Sequence, residues 1–120
     1  STAAFLPGPM MAVYYATKHY VLAFSEGLSE ELRGSGVTVT ALCPGATESN
    51  FAQVADAEHS NLFKNKKLPT AREVADYGYW AMMREKRVAV HGIQNKIMSQ
   101  LPRLLPRWLA ARAVYWFSTR

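Results

Sequence analysis

Residues 10–33 follow the pattern of one long helix, in which apolar side chains recur every three or four positions. One helix face carries Tyr14 and Lys18, and its apolar members are Val21, Leu28 and Leu32. The glycines of residues 34–36 end the pattern. Gly27 lies inside it at a cost of about 1 kcal/mol relative to alanine, which predicts the close approach of a neighbouring backbone. Apolar residues lie on more than one face, so we expect one side to pack on a sheet and another on a second subunit.

Two short apolar runs predict parallel strands. Residues 37–43 are rich in β-branched side chains and are bounded by a glycine and a proline, and residues 88–90 form a second, briefer run. We also expect residues 1–4 to be the carboxyl end of an earlier parallel strand. That position would put Ser1 at the edge of the sheet where open α/β sheets bind their ligands.

Thr70 and Glu73 have the spacing of a capping box, in which each side chain accepts a hydrogen bond from the backbone N–H of the other residue. They predict a helix that begins after Thr70 and extends to about Arg87. Its expected buried stripe consists of Val74, Tyr77, Ala81 and Met82.

Residues 93–120 mix basic and aromatic side chains on helical patterns. The patterns cover residues 93–100 and 107–117, and Pro102 and Pro106 interrupt them. Helices of this composition can lie at a membrane surface. The alternative is a C-terminal extension that packs over a ligand cleft or against a neighbouring subunit, and the sequence leaves both open.

The composition is that of a globular domain, with 49% hydrophobic and 19% charged residues in 120. The net charge of +5 is uneven, because residues 84–120 contain eight Lys and Arg against one acidic residue. An electrostatic partner would therefore meet the tail, although the tail has no motif that reads nucleic acid. The single cysteine, Cys43, excludes an internal disulfide, fits a reducing, cytoplasmic compartment and is expected to be a core thiol. The three histidines lack the spacing of a metal site.

Tyr14 and Lys18 are the strongest candidates for chemistry. Because they are four residues apart in a predicted helix, their side chains lie on one face. An ammonium group near a phenol favours the ionised phenolate, so Tyr14 is a candidate general acid/base and Lys18 the residue that tunes it. Taken alone, the pair also fits ordinary packing on a helix face.

Two further features accompany this pair: Ser1 lies 13 residues before Tyr14, and a Pro44-Gly45 turn follows the next strand. The whole arrangement resembles the short-chain dehydrogenase/reductase family, over nearly the whole chain but weakly after about residue 93. The resemblance implies an α/β fold, in which residues 1–92 form the C-terminal part of a Rossmann-like doubly wound parallel sheet. Residues 93–120 would be an extension of extra C-terminal helices, and the protein would be a homo-oligomer.

The resemblance also implies an NAD(P)-dependent oxidoreductase that interconverts an alcohol and a carbonyl. Ser1, Tyr14 and Lys18 would be its catalytic residues. The cofactor would be NAD or NADP, with NADP slightly favoured. It would be bound by Tyr14, Lys18, Pro44, Gly45, Thr47 and Ser49, where the Thr47 backbone bonds the carboxamide and the Ser49 hydroxyl supports it.

Residues 48–67 correspond to the substrate lid of that family. Four apolar residues there favour a lipophilic small-molecule substrate: Phe51, Val54, Leu62 and Phe63. A lysine cluster could meet an acidic group of the substrate or be ordinary solvated surface: Lys64, Lys66 and Lys67.

The sequence contains no glycine-rich phosphate-binding turn of the form G-x-G-x-x-G or G-x-x-x-G-x-G, which the resemblance calls for. We therefore expect the chain to be the C-terminal half of a family member, beginning at the catalytic serine, and to be inactive by itself. The alternative is a non-catalytic interaction or scaffold module whose basic tail lies peripherally at a membrane. A scaffold has no physical need for a serine, a tyrosine and a lysine in this register.

Overall fold

The computed structural model describes residues 1–50 and 67–120. Within them are four α-helices, two strands and two 3₁₀ helices. The α-helices are α1 (Ala12–Glu31), α2 (Ala71–Met83), α3 (Ile93–Gln100) and α4 (Arg107–Ser118). The strands are β1 (Ala41–Cys43) and β2 (Val88–Val90), and the 3₁₀ helices are Thr2–Phe5 and Leu101–Leu104. Residues 51–66 of the predicted lid, with Phe51, Val54, Leu62, Phe63, Lys64 and Lys66, lie outside the described residues.

β1 and β2 form a parallel pair, with Ala41 opposite Val88 and Cys43 opposite Val90. α2 lies between them in the chain, as a crossover between parallel strands requires. The predicted strand at residues 88–90 is confirmed. β1 is shorter than the predicted residues 37–43, because among the described residues only Ala41–Cys43 pair with a neighbouring strand.

The core between these elements is small. Ala4, Leu22, Cys43 and Val90 are each at most 8% exposed and form one cluster. Partly buried apolar side chains pack around it: Phe5, Ala41 and Val88. The core therefore joins the first 3₁₀ helix, α1 and both strands, which are the elements that carry the predicted site.

α1 agrees with the predicted helix, and Gly34 and Gly36 follow it with φ of 84°, which explains why the chain turns there. Its buried face differs from the prediction: Leu22 is buried, whereas Val21 is 54% exposed. Near the carboxyl end of α1, Glu30 accepts a hydrogen bond of 2.7 Å from the Arg87 guanidinium. This half-exposed ion pair links α1 to the start of β2.

The prediction that residues 1–4 end a strand is wrong, because Thr2–Phe5 is a 3₁₀ helix. The Ser1 Oγ accepts a hydrogen bond from the Ala3 N–H at 3.1 Å, and this local bond competes with strand pairing. The segment still lies at the sheet edge, since the Thr2 N–H donates to the Pro44 carbonyl at 2.9 Å.

The capping box at the start of α2 is confirmed. Thr70 Oγ1 accepts from the Glu73 N–H at 3.1 Å, and Glu73 Oε2 accepts from the Thr70 N–H at 2.8 Å. The Glu48 N–H donates to the Pro69 carbonyl at 2.9 Å, which holds the chain after β1 against the start of α2. In the stripe, Val74 and Ala81 are buried and Met82 is 47% exposed.

α2 ends at Met83 rather than near Arg87, because the chain turns at Glu85, whose φ is 57°. After β2, α3 and α4 match the two predicted helical patterns of the tail. None of the helices described is both long and apolar enough to cross a membrane.

Two glycines give opposite predictions for stability. A Cβ on Gly8 would overlap the ring of Tyr15, whereas a Cβ on Gly27 would have no atom within 4 Å. The expected close approach at Gly27 is therefore wrong.

We expect Gly8→Ala to lower the free energy of unfolding by about 1–3 kcal/mol through overpacking. We expect Gly27→Ala to raise it by about 0.5–1 kcal/mol by removing a helix-interior glycine.

Urea unfolding followed by circular dichroism measures both changes. Gly27→Ala is the matched control, since the same methyl group is added in open space. Equal free energies of unfolding for the two variants would contradict the packing of Tyr15 on Gly8.

Candidate active site

One cleft of about 1630 Å³ gathers the predicted site residues. Its polar part is lined by Ser1, Tyr14, Lys18, Pro44, Gly45, Thr47 and Ser49. Residues of α3, the second 3₁₀ helix and α4 also line the cleft, so the tail lies over it, as one of the two sequence interpretations expected. The cleft is larger than the roughly 300–1000 Å³ of common ligand sites, which leaves room for part of a cofactor and a substrate together.

Tyr14 and Lys18 lie one turn apart on α1 and both are half-buried. The Lys18 Nζ is 5.3 Å from the centroid of the Tyr14 ring. At this distance the ammonium group makes a cation–π contact with the ring. The helix thus brings a phenol and an ammonium group to the same cleft.

Tyr15 also lines the cleft but has a different environment. Its ring packs against Gly8 and meets the Tyr14 ring edge-on, with centroids 5.9 Å apart. Burial raises the pKa of Tyr15, and the neighbouring Tyr14 raises it further. Tyr15 therefore stays a neutral phenol, and of the two adjacent tyrosines Tyr14 is the one that lies beside a cation.

Ser1 lines the cleft, and the hydrogen bond from the Thr2 N–H to the Pro44 carbonyl holds the start of the chain there. Its Oγ accepts a hydrogen bond from the Ala3 N–H, so the hydroxyl proton remains able to donate to a ligand. A serine held in this way can bind an oxygen atom that develops negative charge.

The turn after β1 supplies the remaining polar groups. The Thr47 Oγ1 donates to the Gly45 carbonyl at 3.0 Å, which fixes the turn from within. The hydroxyl groups of Ser1, Thr47 and Ser49 and the Lys18 ammonium group belong to residues that line the same cleft, and such donors suit the ribose and carboxamide of a nicotinamide nucleotide. The donor set present therefore fits the cofactor that the sequence predicts.

Asn95, at the start of α3, is a site residue that the sequence analysis missed. Its Nδ2 donates to the His91 carbonyl at 2.8 Å, and its amide packs on Gly45, where a Cβ would lie 2.7 Å from the Asn95 Cγ. The signal was present in the topology: parallel strands end at one edge, so a polar residue just after β2 lies beside the turn after β1.

Cys43 lies next to the site without joining it. Cys43 is 3% exposed, and burial raises the pKa of its thiol, so the thiol stays protonated near neutral pH. The predicted core thiol is confirmed. Among residues 1–50 and 67–120, no group of three His, Cys, Asp or Glu side chains is placed to hold a metal ion.

The comparison with known protein families finds one that matches this chain. The short chain dehydrogenase family matches residues 1–60, half of the chain. No solved structure matches significantly.

Curated relatives carry related names. Serine 3-dehydrogenase of Agrobacterium fabrum is 33% identical over 104 residues, which cover 83% of this chain and 42% of that protein. Very-long-chain 3-oxoacyl-CoA reductase of Rattus norvegicus is 27% identical over 98% of this chain and 35% of that protein. The 1-deoxy-11-beta-hydroxypentalenate dehydrogenase of Streptomyces exfoliatus is 43% identical over 44% of this chain and 19% of that protein.

The chain thus spans less than half the length of these relatives. Its first half carries the family match, and that half contains Ser1, the Tyr14 and Lys18 pair and the turn after β1. On this evidence the chain belongs to the short-chain dehydrogenase family.

Proposed function

We propose that the protein containing this chain is an NAD(P)-dependent oxidoreductase that interconverts an alcohol and a carbonyl. The observation that carries the proposal is the convergence of Ser1, Tyr14 and Lys18 with the Pro44-Gly45 turn on one cleft. Membership of the short-chain dehydrogenase family and the oxidoreductase names of the relatives support the same reaction class.

The residues present would hold the nicotinamide end of the cofactor. Lys18 would donate to the ribose hydroxyls, the Thr47 backbone would bond the carboxamide and the Ser49 hydroxyl would support that contact. When bound, the nicotinamide ring supplies or accepts the hydride. The chain itself then has to bind the substrate oxygen and move one proton.

Tyr14 performs the proton transfer in this proposal. In the reductive direction its phenolic proton goes to the carbonyl oxygen of the substrate as the carbonyl carbon gains a hydride, which yields the alcohol and a phenolate. Lys18 stabilises that phenolate, and Ser1 donates a hydrogen bond to the same substrate oxygen. In the oxidative direction the phenolate takes the proton of the alcohol.

Tyr14→Phe in the full-length protein removes the proton donor while it keeps the ring. We expect kcat to fall by about 100-fold or more, because general acid/base catalysis contributes about 10²–10⁴-fold. We expect the Kd for the cofactor to change little, because Lys18 and the turn remain. Steady-state kinetics and cofactor fluorescence titration measure the two quantities.

Tyr15→Phe is the matched control, since it removes the neighbouring hydroxyl from the same helix. Its kcat should stay within a few-fold of the parent protein. Equal losses in both variants, or unchanged turnover in Tyr14→Phe, would contradict the role given to Tyr14.

The isolated residues 1–120 should bind the cofactor weakly. The sequence has no glycine-rich turn for the pyrophosphate, which normally lies at a helix N-terminus. We expect no turnover and no saturation with NADPH at micromolar concentrations in a fluorescence titration. Micromolar affinity would show that these 120 residues hold the phosphates by other means.

We also propose a second function, contact of the tail with an anionic membrane surface. Leu104 is 82% exposed and Trp108 is 68% exposed, and neither lines the cleft. Arg103 and Arg107 neighbour them in the chain, and residues 84–120 carry a net charge of +7. Exposed apolar and aromatic side chains beside basic ones are the composition of interfacial helices.

Cosedimentation of the full-length protein with phosphatidylserine-containing vesicles tests this contact. We expect binding that weakens several-fold in Trp108→Ser and is absent with phosphatidylcholine alone. Tyr20→Ser on α1 is the control, since Tyr20 is 73% exposed on another helix. Equal binding by both variants would contradict the proposal, and vesicle binding without any turnover would favour the scaffold alternative.

A further inference from the structure

We propose that α3, the second 3₁₀ helix and α4 form the wall that binds the substrate, and that the substrate carries a long apolar chain. The inference rests on the proposed oxidoreductase function and adds the substrate class. It uses residues 93–120, which are outside the family match to residues 1–60.

The tail presents a row of large apolar side chains to the cleft. The row consists of Ile97, Leu101, Leu105 and Leu109, all of which line the cleft. Each of them is 37% to 56% exposed, although all four are aliphatic. Covering such surface with an apolar ligand is favourable, because it removes apolar area from water.

The opposite side of the tail has a different composition. Lys96, Gln100, Arg103 and Arg107 do not line the cleft, and each lies within two positions of an apolar residue that does. The tail residues that line the cleft are therefore mostly apolar, with Arg112 as the basic exception, whereas the side away from the cleft carries these four polar residues together with the exposed Leu104 and Trp108.

The apolar wall and the polar site belong to one continuous cleft. Leu6 and Met11, which flank the first loop, add apolar surface on the side of Tyr14. A substrate whose reactive oxygen lies at Tyr14 and Ser1 can therefore extend its carbon chain along the tail. This arrangement favours a carbonyl compound or alcohol with a long aliphatic or acyl chain over a small polar one.

Kinetics of the full-length protein with a series of methyl ketones from four to twelve carbons, each assayed with NADPH and NADH, test the inference. The matching secondary alcohols are assayed in the reverse direction. We expect kcat/KM to rise with chain length, by up to about fourfold for each methylene that the wall covers. The rise in kcat/KM should come from a fall in KM and not from kcat, since the wall is remote from the proton transfer.

Leu105→Gln and Leu104→Gln form a matched pair of variants. Leu105 lines the cleft, whereas its neighbour Leu104 does not and is 82% exposed. Leu105→Gln should raise KM for the longest ketone about tenfold and leave the shortest ketone unchanged. Leu104→Gln should leave the whole series unchanged.

The outcomes separate this inference from the function on which it rests. Turnover without chain-length dependence, or equal effects of the two variants, would contradict the proposal that the tail binds a long apolar chain. The oxidoreductase proposal would remain. No turnover of any ketone or alcohol by the parent protein would overturn both. Far-ultraviolet circular dichroism of the two variants checks that each is folded.

Discussion

The parallel pairing of β1 with β2 is the constraint on which the rest of the site depends. Because parallel strands end at the same edge, the turn that begins at Pro44 and the chain that leaves at His91 emerge side by side. Two contacts lie at that edge. The Thr2 N–H donates to the Pro44 carbonyl, and Asn95 packs on Gly45. Within residues 1–50 and 67–120 the sheet has three residue pairs, yet their register brings these two loops together.

α1 places Tyr14 and Lys18 near this edge of the sheet. Its length and its packing through Leu22 hold Tyr14 and Lys18 on the cleft wall, where one helical turn sets their separation. The adjacent Tyr15 is fixed by Gly8, whose missing side chain makes room for the ring. Two neighbouring tyrosines thus have different environments, because Tyr14 lies beside a cation and Tyr15 packs as a neutral ring.

Much of this arrangement could be predicted from local sequence signals. The capping box of Thr70 and Glu73 and the prolines of the tail act over three or four residues, so the pattern alone was enough. The strand expected at residues 1–4 failed because a serine hydroxyl captured a nearby backbone N–H. Asn95 was missed because its importance comes from contact with Gly45, which is 50 positions away in the chain.

The tail, residues 93–120, is another part of the chain whose contacts could not be predicted from the sequence. Its helical pattern and its excess of basic residues were evident, but periodicity cannot say which face of a helix meets the cleft. Only the fold shows that Leu105 faces the site while Leu104 faces away from it. The core position of α1 is a similar case. Leu22 is buried and Val21 is not, because the neighbouring elements decide which face of the helix is covered.

A crystal structure of the full-length protein with bound NADP(H) would show whether Ser1, Tyr14 and Lys18 surround the nicotinamide. The account predicts that the nicotinamide ribose contacts the Lys18 ammonium group and that the Tyr14 hydroxyl faces the nicotinamide ring. It also predicts that Ser1 and the Pro44-Gly45 turn border the same ring, with the row of aliphatic side chains of the tail beyond it. A nicotinamide bound outside this cleft, or a Tyr14 hydroxyl directed away from the ring, would contradict the account.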